Sequence, residues 1–152
     1  LGSIVENQTV TNFLDVMMLD LHISGDEQQI QKTNKKILIV DDSSLIRSRI
    51  GNFLEKLGYQ VIKAENGTQA LIQISQNQDL TMIFSDLEMP EMNGFDMATT
   101  LKERPNFSLP LIALTSLNSQ RIKDKARQSG FDEFILKHES QNILNAVQKY
   151  TA

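Results

Sequence analysis

The sequence predicts an α/β domain, a five-stranded parallel sheet with helices on both faces, and three observations predict it. Short apolar runs alternate with segments of helical period from about residue 36 to residue 150. The runs are rich in β-branched residues, as strands buried on both faces are. Charged residues stand at their carboxyl ends: Asp41-Asp42 after Lys36-Ile37-Leu38-Ile39-Val40, Asp86 after Met82-Ile83-Phe84-Ser85, and Lys137 after Phe134-Ile135-Leu136. Five strand–helix units in a row imply parallel pairing with right-handed crossovers.

The first strand is expected over 37–41 and the first helix over 44–57. Leu45, Ile46, Ile50, Phe53, Leu54 and Leu57 give that helix its 3.6 period, and Gly58 supplies its stop. A second unit follows at 60–64 and 67–76, and a third at 81–85 and 94–103. The fourth takes 110–115 and 119–129. The fifth takes 132–136 and 139–150, where Ile143, Leu144 and Val147 repeat the helical spacing and Glu139 or Ser140 sits near the start.

Residues 24–35 are almost wholly polar and read as a linker. Residues 1–23 stand outside the alternating pattern. Two short β-branched runs around Glu6-Asn7-Gln8 suggest a hairpin, while Phe13, Val16, Met17 and Leu21 also fit an amphipathic helix. A chain that starts at Leu1 rather than Met is expected to be a fragment of a longer polypeptide.

The composition narrows the function. The 152 residues suffice for one domain and an extension, with 40 % apolar residues to build a core. A net charge of -4 and a pI near 5.1 argue against a nucleic-acid surface. There is no cysteine, which excludes disulfides and thiolate metal sites and favours a cytoplasmic protein. No apolar run approaches the roughly 18 residues that span a bilayer, and no membrane contact is expected. No Gly-rich loop follows the first strand, which disfavours a dinucleotide enzyme.

In open α/β sheets ligands bind at the carboxyl ends of the strands. If the strands carrying Asp41, Asp42, Asp86 and Lys137 are neighbours, three carboxylates and an ammonium converge. A hard cation such as Mg²⁺ wants oxygen ligands, and carboxylates this close resist joint ionisation without one. An aspartate can also attack phosphorus to give an acyl phosphate. Phosphoryl transfer is mostly positioning and charge stabilisation. Lys137 can supply charge, and Thr115 can offer a hydroxyl. Taken singly, each residue has a plainer role. Asp42 or Ser43 could cap the first helix, Asp86 could open a turn, and Lys137 could be a solvated strand end. As a set at successive strand ends, they point to a site.

Residues 36–150 resemble the receiver domain of two-component response regulators, a flavodoxin-like fold, and the domain is expected to occupy 36–152. Asp41 and Asp42 match the family's acidic pair, Asp86 its phosphoacceptor, Thr115 its switch hydroxyl and Lys137 its lysine. The turn Asp86-Leu87-Glu88-Met89-Pro90-Glu91-Met92-Asn93-Gly94 is the most specific piece, and Phe134 falls at the aromatic switch position. The resemblance implies that Asp42, Asp86 and the Glu88 carbonyl hold Mg²⁺, with Asp41 acting mainly through water. Asp86 would then take a phosphoryl group from a histidine kinase or phosphotransfer domain. Lys137, Thr115 and the amide after Asp86 would bind the phosphoryl oxygens. Movement of Thr115 and Phe134 would reshape the surface of helix 4, strand 5 and helix 5 for a downstream protein. For Phe134, plain core packing is the competing expectation.

The sequence departs from the family at three places. His138 follows Lys137 where the family usually has proline, often with a cis peptide. Since a cis bond before a non-proline residue costs roughly 2.5–4 kcal/mol, a trans peptide or a strained cis one is expected. Glu88 places a carboxylate at the mouth of the site, and Leu117 is apolar at the other bordering position. In the N-terminal segment, Phe13-Leu14-Asp15-Val16 looks similar to the closing strand of the CheW-like coupling domain of chemotaxis-type hybrid kinases and coupling proteins. Two rivals remain: a haloacid-dehalogenase-like Mg²⁺-dependent phosphatase and a receiver-like scaffold that is never phosphorylated. The phosphatase needs Asp-x-Asp after its first strand, and Ser43 and Ser44 occupy the second place.

Overall fold

The computed structural model describes residues 32–152. The hairpin, helix and coupling-domain readings of residues 1–23, and most of the linker, lie outside the described residues. Among the described residues ten elements alternate: β1 (Lys36–Val40), α1 (Ser44–Lys56), β2 (Gln60–Ala64), α2 (Gly67–Gln76), β3 (Leu80–Asp86), α3 (Gly94–Lys102), β4 (Leu111–Thr115), α4 (Gln120–Ser129), β5 (Glu133–Leu136) and α5 (Ser140–Thr151).

All four strand pairings are parallel and the order is β2-β1-β3-β4-β5. The apolar runs explain the layering. Successive side chains of a strand face opposite sides, so Leu38 and Val40 pack with α2, α3 and α4 through Ala70, Met97, Leu101 and Ala126. Ile37 and Ile39 pack with α1 and α5 through Ile50, Leu54, Ile143 and Val147. Burying a side chain of this size contributes about 1.5–3 kcal/mol, and the sheet is covered on both sides.

The helix ends follow local chemistry. Ser43, Asn66, Asn93 and Ser119 each stand at an N-cap and accept a hydrogen bond from their own helix, a device worth about 1 kcal/mol each. Gly58, with φ of 100°, provides the left-handed residue that ends α1. Glu139 is the exception, an N-cap whose side chain makes no capping bond to α5.

The strand order decides where chemistry can happen. The chain reverses direction across the sheet between β1 and β3, and ligands of such folds bind at that switch point. Asp41 and Asp42 leave one of these two strands, and Asp86 ends the other.

Candidate functional site

The structure brings Asp41, Asp42 and Asp86 together: one carboxylate oxygen from each lies within 4.8 Å of the others. Asp41 and Asp86 are each held by a local hydrogen bond. Asp41 Oδ1 accepts the Ser43 N–H at 2.9 Å, and the Asp41 carbonyl accepts a hydrogen bond from the Arg47 guanidinium at 2.6 Å. Ser43, not Asp42, caps α1, accepting from the Ile46 N–H. Asp42 is therefore left at the surface with its carboxylate free of that structural duty. Asp86 Oδ1 accepts the Leu87 N–H at 2.8 Å.

Lys137 reaches in from the end of β5. Its ammonium lies 2.7 Å from Asp41 Oδ2 and 3.3 Å from Asp86 Oδ2. The contact with Asp41 is an ion pair outside hydrogen-bond geometry, and among the described residues Asp41 Oδ2 has no hydrogen-bond donor. Burial alone would lower the Lys137 pKa, but the Asp41 and Asp86 carboxylates outweigh it and raise the value. Burial, then the nearby Asp41 charge, pushes the Asp86 carboxyl from 3.8 up to about 6 against the opposing pull of Lys137 and the Leu87 N–H. At neutral pH Asp86 is still mostly a carboxylate.

Thr115 is buried at the end of β4. Its Oγ1 accepts the Leu117 N–H at 3.1 Å, which leaves the hydroxyl proton free to donate elsewhere. Phe134 is half-buried, packed on the α2–α4 side of the core, with the Lys123 ammonium 5.6 Å from its ring centroid. Core packing and the Lys123 ammonium cover it together. Glu88 is exposed, and its carboxylate is not among the three that converge. Leu117 is also exposed. The Lys137–His138 peptide is trans, since no described residue has a cis bond. The contribution of Arg47 was not anticipated. Its signal in the sequence is a cation six residues after Asp41, inside the second turn of α1.

The donor set suits a hard divalent cation. Three carboxylate oxygens converge, and one buried oxygen, Asp41 Oδ2, has a charge partner but no hydrogen bond. Residues 37–148 match the family model for the response regulator receiver domain. The chain belongs to the response regulator receiver family. This receiver is 34 % identical to chemotaxis protein CheY1 of Helicobacter pylori over 72 % of its own length and 90 % of that protein. The solved structure of chemotaxis protein CheY4 of Vibrio cholerae superposes with a TM-score of 0.72 at 28 % identity, covering 78 % of this chain and 99 % of that one. Chemotaxis protein CheV3 of H. pylori is 25 % identical over 95 % of this chain but 52 % of its own length, so the chain spans about half of that relative. An alignment over that share of the chain runs past the receiver domain into the N-terminal segment. The protein is thus a CheY-like receiver of two-component signalling, a domain type that works with histidine kinases or phosphotransfer proteins. Among the described residues, no helix is long and apolar enough to cross a membrane.

Proposed function

We propose that this receiver takes a phosphoryl group onto Asp86 from the phosphohistidine of a histidine kinase or phosphotransfer domain, in a Mg²⁺-dependent reaction. The observation that carries the reading is the convergence of Asp41, Asp42, Asp86 and Lys137 at the β1/β3 switch point. An Asp86 oxygen attacks phosphorus, a P–O bond forms, and the P–N bond breaks with its electron pair left on the imidazole nitrogen. The product is an acyl phosphate. A bound Mg²⁺ would supply positive charge to the transferring oxygens. Asp41, Asp42 and Asp86 would hold it, with the Glu88 carbonyl as the further ligand the family leads one to expect. Lys137 would pair with one phosphoryl oxygen. The Thr115 hydroxyl and the Leu87 N–H, now engaged by Asp86 itself, would donate to others.

The phosphoryl group can move Thr115 and Phe134 only by as much as it binds one arrangement better than the other. The surface to be switched is the α4, β5, α5 face. There a groove of about 270 Å³ lies between Phe134, Ile135, Asn142, Asn145, Ala146 and Lys149. Arg121, Lys123, Lys125 and Arg127 make α4 basic in an acidic chain. For residues 1–23 we propose the closing strands of a CheW-like domain. The run Phe13-Leu14-Asp15-Val16 motivates this reading, and the CheV3 match extends beyond the receiver into the same segment.

The test is the intact mass of the protein after incubation with Mg²⁺ and acetyl phosphate. The expected result is a labile single-phosphate adduct. No adduct, with Mg²⁺ binding shown separately, would favour a receiver that serves as an unphosphorylated binding module. A second expectation concerns Lys137→Ala, which should keep Mg²⁺ affinity within about tenfold while phosphorylation no longer changes partner binding. Isothermal titration with Mg²⁺ would count against the assigned roles if metal affinity were what disappeared.

A further inference from the structure

Lys137 acts only if its main chain is held so that the ammonium meets Asp41 and Asp86. In this chain the residue after it is His138, and the peptide is trans. Something else must fix the turn. β5 is an edge strand, the last in the order β2-β1-β3-β4-β5. On its inner side the Lys137 N–H donates to the Thr115 carbonyl at 2.9 Å. Successive N–H groups of a strand alternate in direction, so the Leu136 N–H faces the outer edge of β5, where no strand among the described residues receives it.

Glu139 receives it. Its Oε1 accepts the Leu136 N–H at 3.0 Å, while its own N–H donates to the Leu136 carbonyl at 2.9 Å. Lys137 and His138 are thus the two central residues of a four-residue turn whose ends are joined twice. The Glu139 carbonyl in turn accepts the Asn142 and Ile143 N–H groups, which ties the turn to α5. The side chain serves this turn instead of its own helix. Glu139 is the N-cap of α5 yet makes no capping bond there, whereas Ser43, Asn66, Asn93 and Ser119 all close onto the helices they begin.

We propose that Glu139 is the positioning residue of Lys137. Its carboxylate latches the Leu136–Glu139 turn and so aims the ammonium at Asp41 and Asp86. The effect on phosphorylation rests on the function proposed above; the effect on Lys137 itself does not.

The experiment compares Glu139→Ala and Glu139→Gln by two readouts. One is the rate of adduct formation with acetyl phosphate at saturating Mg²⁺. The other is the Lys137 ε-methylene signal in carbon-13 NMR of the metal-free protein, assigned through Lys137→Arg. Removal of the acceptor in Glu139→Ala is expected to slow adduct formation by ~10- to 100-fold, the range for a misplaced reacting group. It should also move the Lys137 signal to that of the exposed lysines. Glu139→Gln keeps an acceptor oxygen and should restore both. Should the alanine variant not fold, Glu139→Asp, one methylene too short to reach Leu136, is expected to show the same displaced lysine signal. A wild-type Lys137 signal in the alanine or aspartate variant overturns the proposal, as does a glutamine variant as impaired as alanine. If the wild type takes no phosphoryl group, the phosphorylation reading fails and the NMR comparison still decides the role of Glu139.

Discussion

Asp86→Asn is expected to take up no phosphoryl group and, without Mg²⁺, to melt higher than the wild type. The two results have one cause. Burial and the Asp41 charge hold the Asp86 carboxyl at about 6 instead of 3.8. A group whose folded pKa is raised stabilises the fold fully below its unfolded value, and that contribution is lost as pH rises through the folded one. The metal-free wild type should therefore weaken between about pH 4 and pH 6, and the asparagine variant, which has no such titration, should not. The full shift corresponds to about 3 kcal/mol. Asp42 beside it is exposed and solvent screens the cluster, so a gap of about 1–2 kcal/mol at pH 7.5 is the expected size. The amide oxygen can still accept the Leu87 N–H, and Lys137 keeps Asp41. Urea denaturation in EDTA at pH 4.5 and 7.5 measures the gap, and saturating Mg²⁺ should narrow it. A wild type more stable than the variant at pH 7.5 in EDTA would mean that the Lys137 pairing outweighs the crowding of carboxylates.

The elements were legible because their signals are local. The alternation of Ile37, Leu38, Ile39 and Val40 feeds both faces of the sheet, and a run buried on both faces can be seen without its neighbours. Gly58 marks the stop of α1 through the left-handed conformation it permits. Boundaries moved by a residue where a cap decided them: α5 begins at Ser140 because Glu139 is outside the helix. The three aspartates and Lys137 were legible as candidates because strand ends share one rim of a parallel sheet. What the sequence could not give was the order of the strands, on which their meeting depends. Nor could it give which polar side chain closes a given cap or turn. Asp42 and Ser43 are equally plausible caps on paper, and only the Ser43–Ile46 bond separates their roles. Glu139 reads only as a residue near a helix start, because nothing local announces that the Leu136 N–H will face the outer edge of β5.

Gly94→Ala is expected to destabilise the receiver by about 3 kcal/mol, the upper end of the ordinary overpacking range, and to lower its melting temperature by about 10 °C. Gly94 opens α3 against the end of β3. A Cβ there would stand 2.3 Å from the Asp86 carbonyl oxygen and 3.0 Å from the Leu87 Cα. Both are main-chain atoms, so no rotamer change relieves the clash. The Gly94 N–H also donates to the Leu87 carbonyl at 3.0 Å, which pins the same stretch. The segment that must give way is the one that aims Asp86, so Mg²⁺ affinity should fall together with stability. Gly51→Ala is the contrasting case. Its Cβ would meet the Cε of Lys63 at 3.0 Å, the far end of a flexible side chain, and alanine gains up to about 1 kcal/mol over glycine inside a helix. The same chemical change is therefore expected to be harmful at Gly94 and neutral or mildly stabilising at Gly51. Thermal melts of the two variants with and without Mg²⁺ check this. A Gly94→Ala protein that melts with the wild type and binds Mg²⁺ as well would show that the Asp86 turn does not depend on this close approach.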